Sequence, residues 1–326
     1  MFKILYLWIT FYLYKSEGSE IFRRTNILFI IYDDLRPELS VYGRKHMETP
    51  SFDRLGNRSV IFDNAFCQVS VCNPSRDSML TGLRPDTVGT YSFQWTYRPH
   101  MIFPSALQRS GYKTAGFGKF LHWETSEKDV WDVSNDLDWY IYQNNEWGIM
   151  NSSTTPDKVR HEKSFRDYMI TSLAIEQLKI YARQPDYFFL ALGMKLPHLC
   201  YHIPFKYYEL YKNKTDLFKL SREERRFPSS TPMQSYRCCA SSTFDYMNKE
   251  GAERHVRSIP IGEDANFVVP ESMHNELMLG YCGGISYVDA QLGRVLDVID
   301  ELKLWNNLTV ILTSDHGMHN GEKGLW

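Results

Sequence analysis

The segment Asn26–Tyr32 reads NILFIIY, an unbroken run in which isoleucine and aromatic residues dominate. Such a run, without polar alternation, is typical of a strand buried on both faces of a parallel sheet. Asp33 and Asp34 follow it directly. Because ligands bind beyond the carboxyl ends of parallel strands, these two carboxylates predict a polar site at that edge of the sheet.

Similar short apolar runs occur at 114–117, 187–192 and 309–313, and helical patterns lie between them. The helical segments are 165–183 and 287–302, and the second is strongly amphipathic. Strands that alternate with helices predict an α/β fold with a mostly parallel central sheet flanked by helices.

Reactive side chains follow two further predicted strands. Lys119 and His122 come after the strand that ends near residue 117, and Asp315 and His316 come after the strand at 309–313. Any one of them could be a solvated loop charge. Three strand ends with such residues favour one shared site.

Composition sets limits on the class of protein. The 326 residues include 37 basic and 39 acidic side chains, for a net charge of −2. A nearly balanced chain does not have the electrostatic character of a nucleic-acid-binding protein.

The N-terminal segment resembles the core of a signal peptide. An apolar run at 4–14 follows Lys3 and precedes small and polar residues. The run is too short for a stable membrane span, which needs about 20 residues. We therefore expect residues 1–19 to be a signal peptide, with a buried first strand or helix as the alternative. Secretion is also favoured by N-x-S/T sequons at Asn57, Asn151, Asn213 and Asn307.

The most specific pattern is CNPSR at 72–76, followed by TGLRP at 81–85. Together they resemble the signature of the formylglycine-dependent sulfatase family. A structural cysteine before a helix is the alternative interpretation. The resemblance implies an alkaline-phosphatase/sulfatase-like fold and oxidation of Cys72 to an aldehyde by a formylglycine-generating enzyme in the secretory pathway.

The resemblance also implies a chemistry. One hydroxyl of the aldehyde hydrate attacks the sulfur of a sulfate ester, and deprotonation of the other hydroxyl later expels sulfate. A serine could make the same attack, but it has no second hydroxyl whose deprotonation could expel the sulfate. Arg76 would lie one turn into the helix that begins near Ser75, where it holds the nucleophile and balances charge.

The family places one Ca²⁺ beside the nucleophile. Asp33, Asp34 and Asp315 are the carboxylates that would hold it, together with the residue at Cys72. His316 stands where the family has a fourth side-chain ligand, either asparagine or histidine, although Ca²⁺ prefers oxygen donors.

Other residues match the family's sulfate contacts. They are Lys119 and His122 in the GKFLH segment and the histidine of the Pro-His pair, His198. His202 lies four residues later and is a rival for that last role. The blocks at 33–37 and 84–87 are similar to the iduronate-2-sulfatase branch of the family.

We therefore expect a hydrolase of sulfate esters on a glycosaminoglycan, by resemblance the 2-O-sulfate of iduronate in heparan or dermatan sulfate. The expected location is the lysosome or the cell exterior. Two alternatives stay open: a hydrolase of another sulfate ester or of a phosphate or phosphonate monoester, and an inactive, truncated sulfatase that binds glycans.

The domain prediction assigns residues 20–326 to one catalytic domain, with 213–270 as a polar excursion or lid. The family continues past Trp326 to a second sulfate-binding lysine and a C-terminal subdomain, so the domain is expected to be incomplete. Lys323 stands where close relatives have histidine.

Overall fold

The structure is a computed structural model that describes residues 24–92, 101–122, 130–135, 154–157, 161–199, 201–221, 223–224 and 271–324. The predicted signal peptide, the sequon at Asn151 and most of the predicted excursion lie outside the described residues.

The strands form a five-stranded sheet and a two-stranded pair, and every pairing is parallel. They are β1 (Asn26–Tyr32), β2 (Lys113–Gly118), β3 (Val133–Asn135), β4 (Thr154–Asp157), β5 (Phe188–Met194), β6 (Tyr201–Pro204) and β7 (Leu308–Ser314). The large sheet has the order β3-β2-β5-β1-β7, and β4 pairs with β6. This confirms the predicted α/β fold with a parallel sheet.

Helices cover both faces of the large sheet. They are α1 (Pro50–Gly56), α2 (Cys72–Thr81), α3 (Pro85–Val88), α4 (Phe103–Arg109), α5 (Arg166–Tyr181), α6 (Phe205–Glu209) and α7 (Glu271–Glu301). Alternate residues of β1 divide between two apolar cores. Leu28 and Ile30 pack with α1, α5 and α7 on one face, and Phe29 and Ile31 pack with Leu80 of α2 on the other. Burial on both faces explains the unbroken apolar sequence of β1.

The helix predicted at 287–302 begins earlier than its sequence pattern indicated, at Glu271. The Gly283–Gly284 pair obscured the pattern, because glycine is a poor helix former. In the fold, a Cβ on Gly283 would lie 2.5 Å from Ile203 of β6, and one on Gly284 would lie 3.5 Å from Leu196. Gly283 thus permits a close approach of the helix to β6 that a larger residue would block.

Within the described part of the chain, no helix has the length and apolar character that crossing a bilayer requires.

Candidate active site

The strand order places four carboxyl ends side by side at one edge of the sheet, those of β2, β5, β1 and β7. Each end leads directly into residues that the sequence singled out: Lys119 after β2, His198 after β5, Asp33 and Asp34 after β1, and Asp315 and His316 after β7. The chemistry therefore gathers where parallel sheets ordinarily bind ligands.

Asp33 is fully buried and surrounded by cationic groups. Its carboxylate accepts from Arg76 Nη2 at 3.1 Å and from Lys119 Nζ, and His198 Nε2 lies 4.0 Å from Oδ2. Burial alone would raise the pKa of Asp33, but Lys119, His198 and Arg76 outweigh it and hold the pKa well below its ordinary value. Asp33 is consequently ionised in the folded protein.

Arg76 links the strand ends to the first turns of α2. Its side chain has no exposed surface, and Nε donates to Asp315 Oδ2 at 2.9 Å. The same guanidinium donates to Asp33 and to the backbone oxygens of Lys119 and Phe120. A planar group with five donors can serve all these acceptors at once, which a lysine could not do. Arg76 therefore holds protein groups in place and is not open to a ligand.

Cys72 is the first residue of α2 and is 3% exposed. Its Sγ lies 3.2 Å from His316 Nε2 and 3.9 Å from Asp34 Oδ1. Burial, and then the charge of Asp33, raises the pKa of the Cys72 thiol well above its ordinary value. Because the thiolate is the reactive form of cysteine, an unmodified thiol in this setting is a poor nucleophile.

His198, and not His202, is the histidine beside the carboxylates. His198 Nε2 lies 3.8 Å from Asp34 Oδ2 and 4.0 Å from Asp33 Oδ2. The ring of His202 instead packs against Phe165, with 4.9 Å between ring centroids. The side chain of His198 is 27% exposed, so it can meet a bound molecule.

His122 belongs to the same electrostatic cluster. Burial, reinforced by the charge of Lys119, lowers the pKa of His122 to about 3. With its pKa lowered this far, His122 is a neutral imidazole and a weak base at ordinary pH, so it can form hydrogen bonds in the cluster without adding charge.

The three aspartates offer a place for a cation. One oxygen from each of Asp33, Asp34 and Asp315 can be chosen so that all lie within 4.8 Å of one another, and all three residues are buried. Arg76 contacts Asp33 and Asp315, whereas the ion-pair partners of Asp34 among the described residues are the imidazoles of His198 and His316. Buried carboxylates this close repel one another, and an oxygen donor set fits Ca²⁺.

His316 is placed at the margin of this cluster. Its Nε2 lies 3.2 Å from Asp34 Oδ1 and 3.8 Å from Asp315 Oδ2. Burial would lower the pKa of His316, but Asp315 and Asp34 outweigh it and raise the pKa. The carboxylates thus favour the protonated form of His316, whereas a metal ligand would have to be the neutral imidazole.

Two residues that the sequence did not single out hold the backbone of the site segments through hydrogen bonds. The buried carboxylate of Asp167, on α5, accepts from the backbone N–H groups of Lys195 and Leu196, each at 3.0 Å. These bonds fix the turn that carries His198. Tyr281, on α7, makes two contacts with the segment after β1. Neither residue stands in a short motif, so only the three-dimensional contacts reveal them.

Lys323 is not among the residues that the structure brings together at this site. Its backbone N–H donates to the carbonyl of Glu224 at 2.7 Å, and its φ is 57°. This hydrogen bond connects the end of the described chain to the segment at 223–224.

A sequence profile of the family described as Sulfatase matches residues 25–326. Iduronate 2-sulfatase of Mus musculus is 32% identical over 340 residues, covering 95% of this chain, and that of Homo sapiens is 32% identical over 331 residues, covering 96%. The chain spans 58% of the length of each of these relatives.

Solved structures share the fold. The protein BT4656, determined with its substrate D-glucosamine-2-N,6-O-disulfate, has a TM-score of 0.70 at 21% identity, over 93% of this chain and 67% of that one. The phosphonate monoester hydrolase SpPMH from Silicibacter pomeroyi has a TM-score of 0.68 at 18% identity, over 93% of this chain and 64% of that one.

Proposed function

The chain belongs to the sulfatase family, and from that premise we propose that it hydrolyses sulfate esters of a glycosaminoglycan. The favoured bond is the 2-O-sulfate of iduronate in heparan or dermatan sulfate. The observation that carries the proposal is the convergence of Cys72 with three buried carboxylates and the cations of Arg76 and Lys119. Support for iduronate as the sugar comes from the similarity to iduronate 2-sulfatases.

The exposure of the side chains indicates the side from which a substrate enters. Arg76 and Asp33 have no exposed side-chain surface, whereas Lys119 is 15% and His198 is 27% exposed. Lys119 and His198 are therefore the groups that can contact a sulfate ester. A fixed ammonium near the sulfate oxygens stabilises the charge that concentrates there during attack.

The remaining residues prepare the nucleophile and the metal. We propose that Cys72 is converted to formylglycine by the family's generating enzyme, because the unmodified thiol stays protonated in its buried setting. Calcium held by Asp33, Asp34 and Asp315, with the residue at 72 and His316 beside it, would supply fixed positive charge to the sulfate oxygens. We propose that His198 moves a proton at the attacking or the leaving oxygen, while His122 stays neutral because its pKa is lowered to about 3.

Passage through the secretory pathway follows from this proposal, since formylglycine formation occurs there in the family. The mature protein would then be lysosomal or secreted, as glycosaminoglycan degradation requires. The exposed sequon residues Asn57 and Asn213 are consistent with that route.

A phosphate or phosphonate monoesterase is the second candidate, and the shared fold with SpPMH is the observation in its favour. The charge of the site argues against it. Asp33, Asp34 and Asp315 outnumber the cations Arg76 and Lys119, so a monoanionic sulfate ester is easier to accommodate than a dianionic phosphate monoester. Bound calcium would turn this excess of one negative charge into an excess of one positive charge, which matches a monoanionic ester better than a dianionic one.

Substrate preference tests the proposal. Protein isolated from secretory cells should hydrolyse an aryl sulfate faster than the matching aryl phosphate. It should also release sulfate from a heparan disaccharide with terminal 2-O-sulfated iduronate about 10²-fold faster than from one sulfated only at glucosamine O6. The two rates would be measured by sulfate release under identical conditions, with the Cys72→Ala variant as the blank.

Three results would contradict parts of the proposal. A preference for the phosphate ester would favour the second candidate. Equal rates on the two disaccharides would remove iduronate as the sugar but keep sulfate ester hydrolysis. Tight glycan binding without turnover, in protein shown to carry formylglycine, would indicate a glycan-binding protein.

A further inference from the structure

Asp34 has an unusual backbone conformation. Its φ is 63°, in the left-handed region that L side chains enter at an energetic cost. Consecutive residues of a strand point to opposite faces, so a regular continuation of β1 would send the carboxylates of Asp33 and Asp34 apart. Instead both reach the same imidazole nitrogen of His198, at 4.0 and 3.8 Å. The left-handed turn is what allows two adjacent aspartates to serve one site.

The hydroxyl group of one tyrosine forms two hydrogen bonds with the backbone of this turn. Tyr281 Oη donates to the carbonyl oxygen of Asp34 at 2.8 Å and accepts from the N–H of Arg36 at 2.9 Å. Tyr281 is on α7, some 245 residues away in sequence, and its side chain is fully buried. Its hydroxyl is thus fixed by the packing of a long helix, independently of the loop that it contacts.

The other contacts of the turn come from β7. The N–H of Asp34 donates to Asp315 Oδ1 at 3.1 Å, and the N–H of Leu35 donates to Ser314 Oγ at 3.0 Å. These bonds hold the amide groups but leave the Asp34 carbonyl to Tyr281. Removing the hydroxyl would leave that carbonyl and the Arg36 N–H without this partner, in a place where the backbone already lies in a costly conformation.

We infer that Tyr281 is a positioning residue of the metal site: its hydroxyl fixes the left-handed Asp34 so that the Asp34 carboxylate joins Asp33 and Asp315. The inference rests on the proposed function, in which these three aspartates hold calcium. The hydrogen bonds of the Tyr281 hydroxyl go to backbone groups of Asp34 and Arg36, so Tyr281 acts through the backbone of Asp34.

The test compares Tyr281→Phe with a matched control, Tyr287→Phe. Tyr287 is on the same helix and is fully buried, and its hydroxyl accepts from the backbone N–H of Tyr168, away from the aspartates. Both variants lose one buried hydroxyl from α7. Because the chemical change is the same in both variants, any difference between them comes from the position of the lost hydroxyl.

Two measurements distinguish the variants. Equilibrium dialysis with calcium alone should show a dissociation constant about ten- to a hundredfold weaker for Tyr281→Phe and unchanged for Tyr287→Phe. Hydrogen exchange of the Arg36 amide should accelerate in Tyr281→Phe even without calcium, because that amide loses its acceptor. Activity of Tyr281→Phe should recover towards the wild-type value in excess calcium, whereas Tyr287→Phe should need no more calcium than the wild type.

Unchanged calcium affinity in Tyr281→Phe would overturn the inference while leaving the metal site of the proposed function in place. Equal weakening in both variants would also overturn it, since the effect would then be a general loss of packing. Absence of calcium binding by the wild-type protein would overturn the metal site itself, and the inference with it.

Discussion

Replacing Cys72 with alanine is expected to lower the rate of sulfate ester hydrolysis by about 10⁴-fold or more, as loss of a covalent nucleophile does in other enzymes. The residue starts α2 and is 3% exposed, and its Sγ lies 3.2 Å from His316 Nε2 and 3.9 Å from Asp34 Oδ1. The measurement is sulfate release by variant and wild-type protein at the same concentration.

Two further variants serve as a control and as a test of the mechanism. Cys282→Ala removes another buried, free thiol, on α7, and its rate should stay close to the wild-type rate. Cys72→Ser keeps one hydroxyl but not two, so it should accumulate sulfated enzyme without turnover. If Cys72→Ala retains full activity, the residue is structural and the proposed mechanism is wrong.

The second large effect concerns Asp34, and it separates metal binding from folding. Asp34→Asn should abolish the stabilisation by calcium, which is about 2.7 kcal/mol for a site at one hundred times its dissociation constant. Without calcium, Asp34→Asn should be at least as stable as the wild type. Burial raises the pKa of Asp34 despite the opposing effect of His198, so the ionised carboxylate is unfavourable in the fold.

Asp315→Asn should behave differently, although it also removes a carboxylate from the cluster. Asp315 accepts from Arg76 Nε at 2.9 Å in a pair with no exposed surface. Breaking a buried pair leaves a charge partly uncompensated, so this variant should lose about 3 kcal/mol even without calcium. Urea unfolding of both variants, with and without calcium, measures all four values.

The exposed Asp297 supplies the control. Its side chain is 71% exposed and pairs with Arg54, so Asp297→Asn should change neither unfolding nor calcium binding measurably. If exhaustive chelation and the Asp34→Asn change both leave activity intact, the aspartates do not hold a catalytic metal.

Much of the fold could be predicted because its signals are local. The apolar run of β1 is buried on both sides, and its bounds, Asn26 and Tyr32, agree with the sequence pattern. The location of the site could be predicted because the carboxyl ends of all strands in a parallel sheet lie at the same edge, whatever the strand order. The motif at 72–76 added the proposed nucleophile, Cys72, which periodicity alone would not indicate.

The remainder depends on contacts between distant parts of the chain. The close approach of α7 to β6 at Gly283 and Ile203 is one such contact, and no local pattern encodes it. Likewise, the choice of His198 over His202 follows from the turn that Asp167 holds, and the positive φ of Asp34 follows from bonds to α7 and β7. These features arise from tertiary structure, which spacing in the sequence does not specify.

The state of residue 72 in active protein tests the central claim most directly. Trypsin should release residues 59–76 as one peptide that contains both Cys67 and Cys72. In protein purified from secretory cells, this peptide should be about 18 Da lighter than the dithiol form, the difference between CH₂SH and CHO on one side chain. Fragment ions should place the change at residue 72, and an alkylating reagent should label Cys67 alone. Protein that hydrolyses sulfate esters while both cysteines remain fully alkylatable would contradict the account.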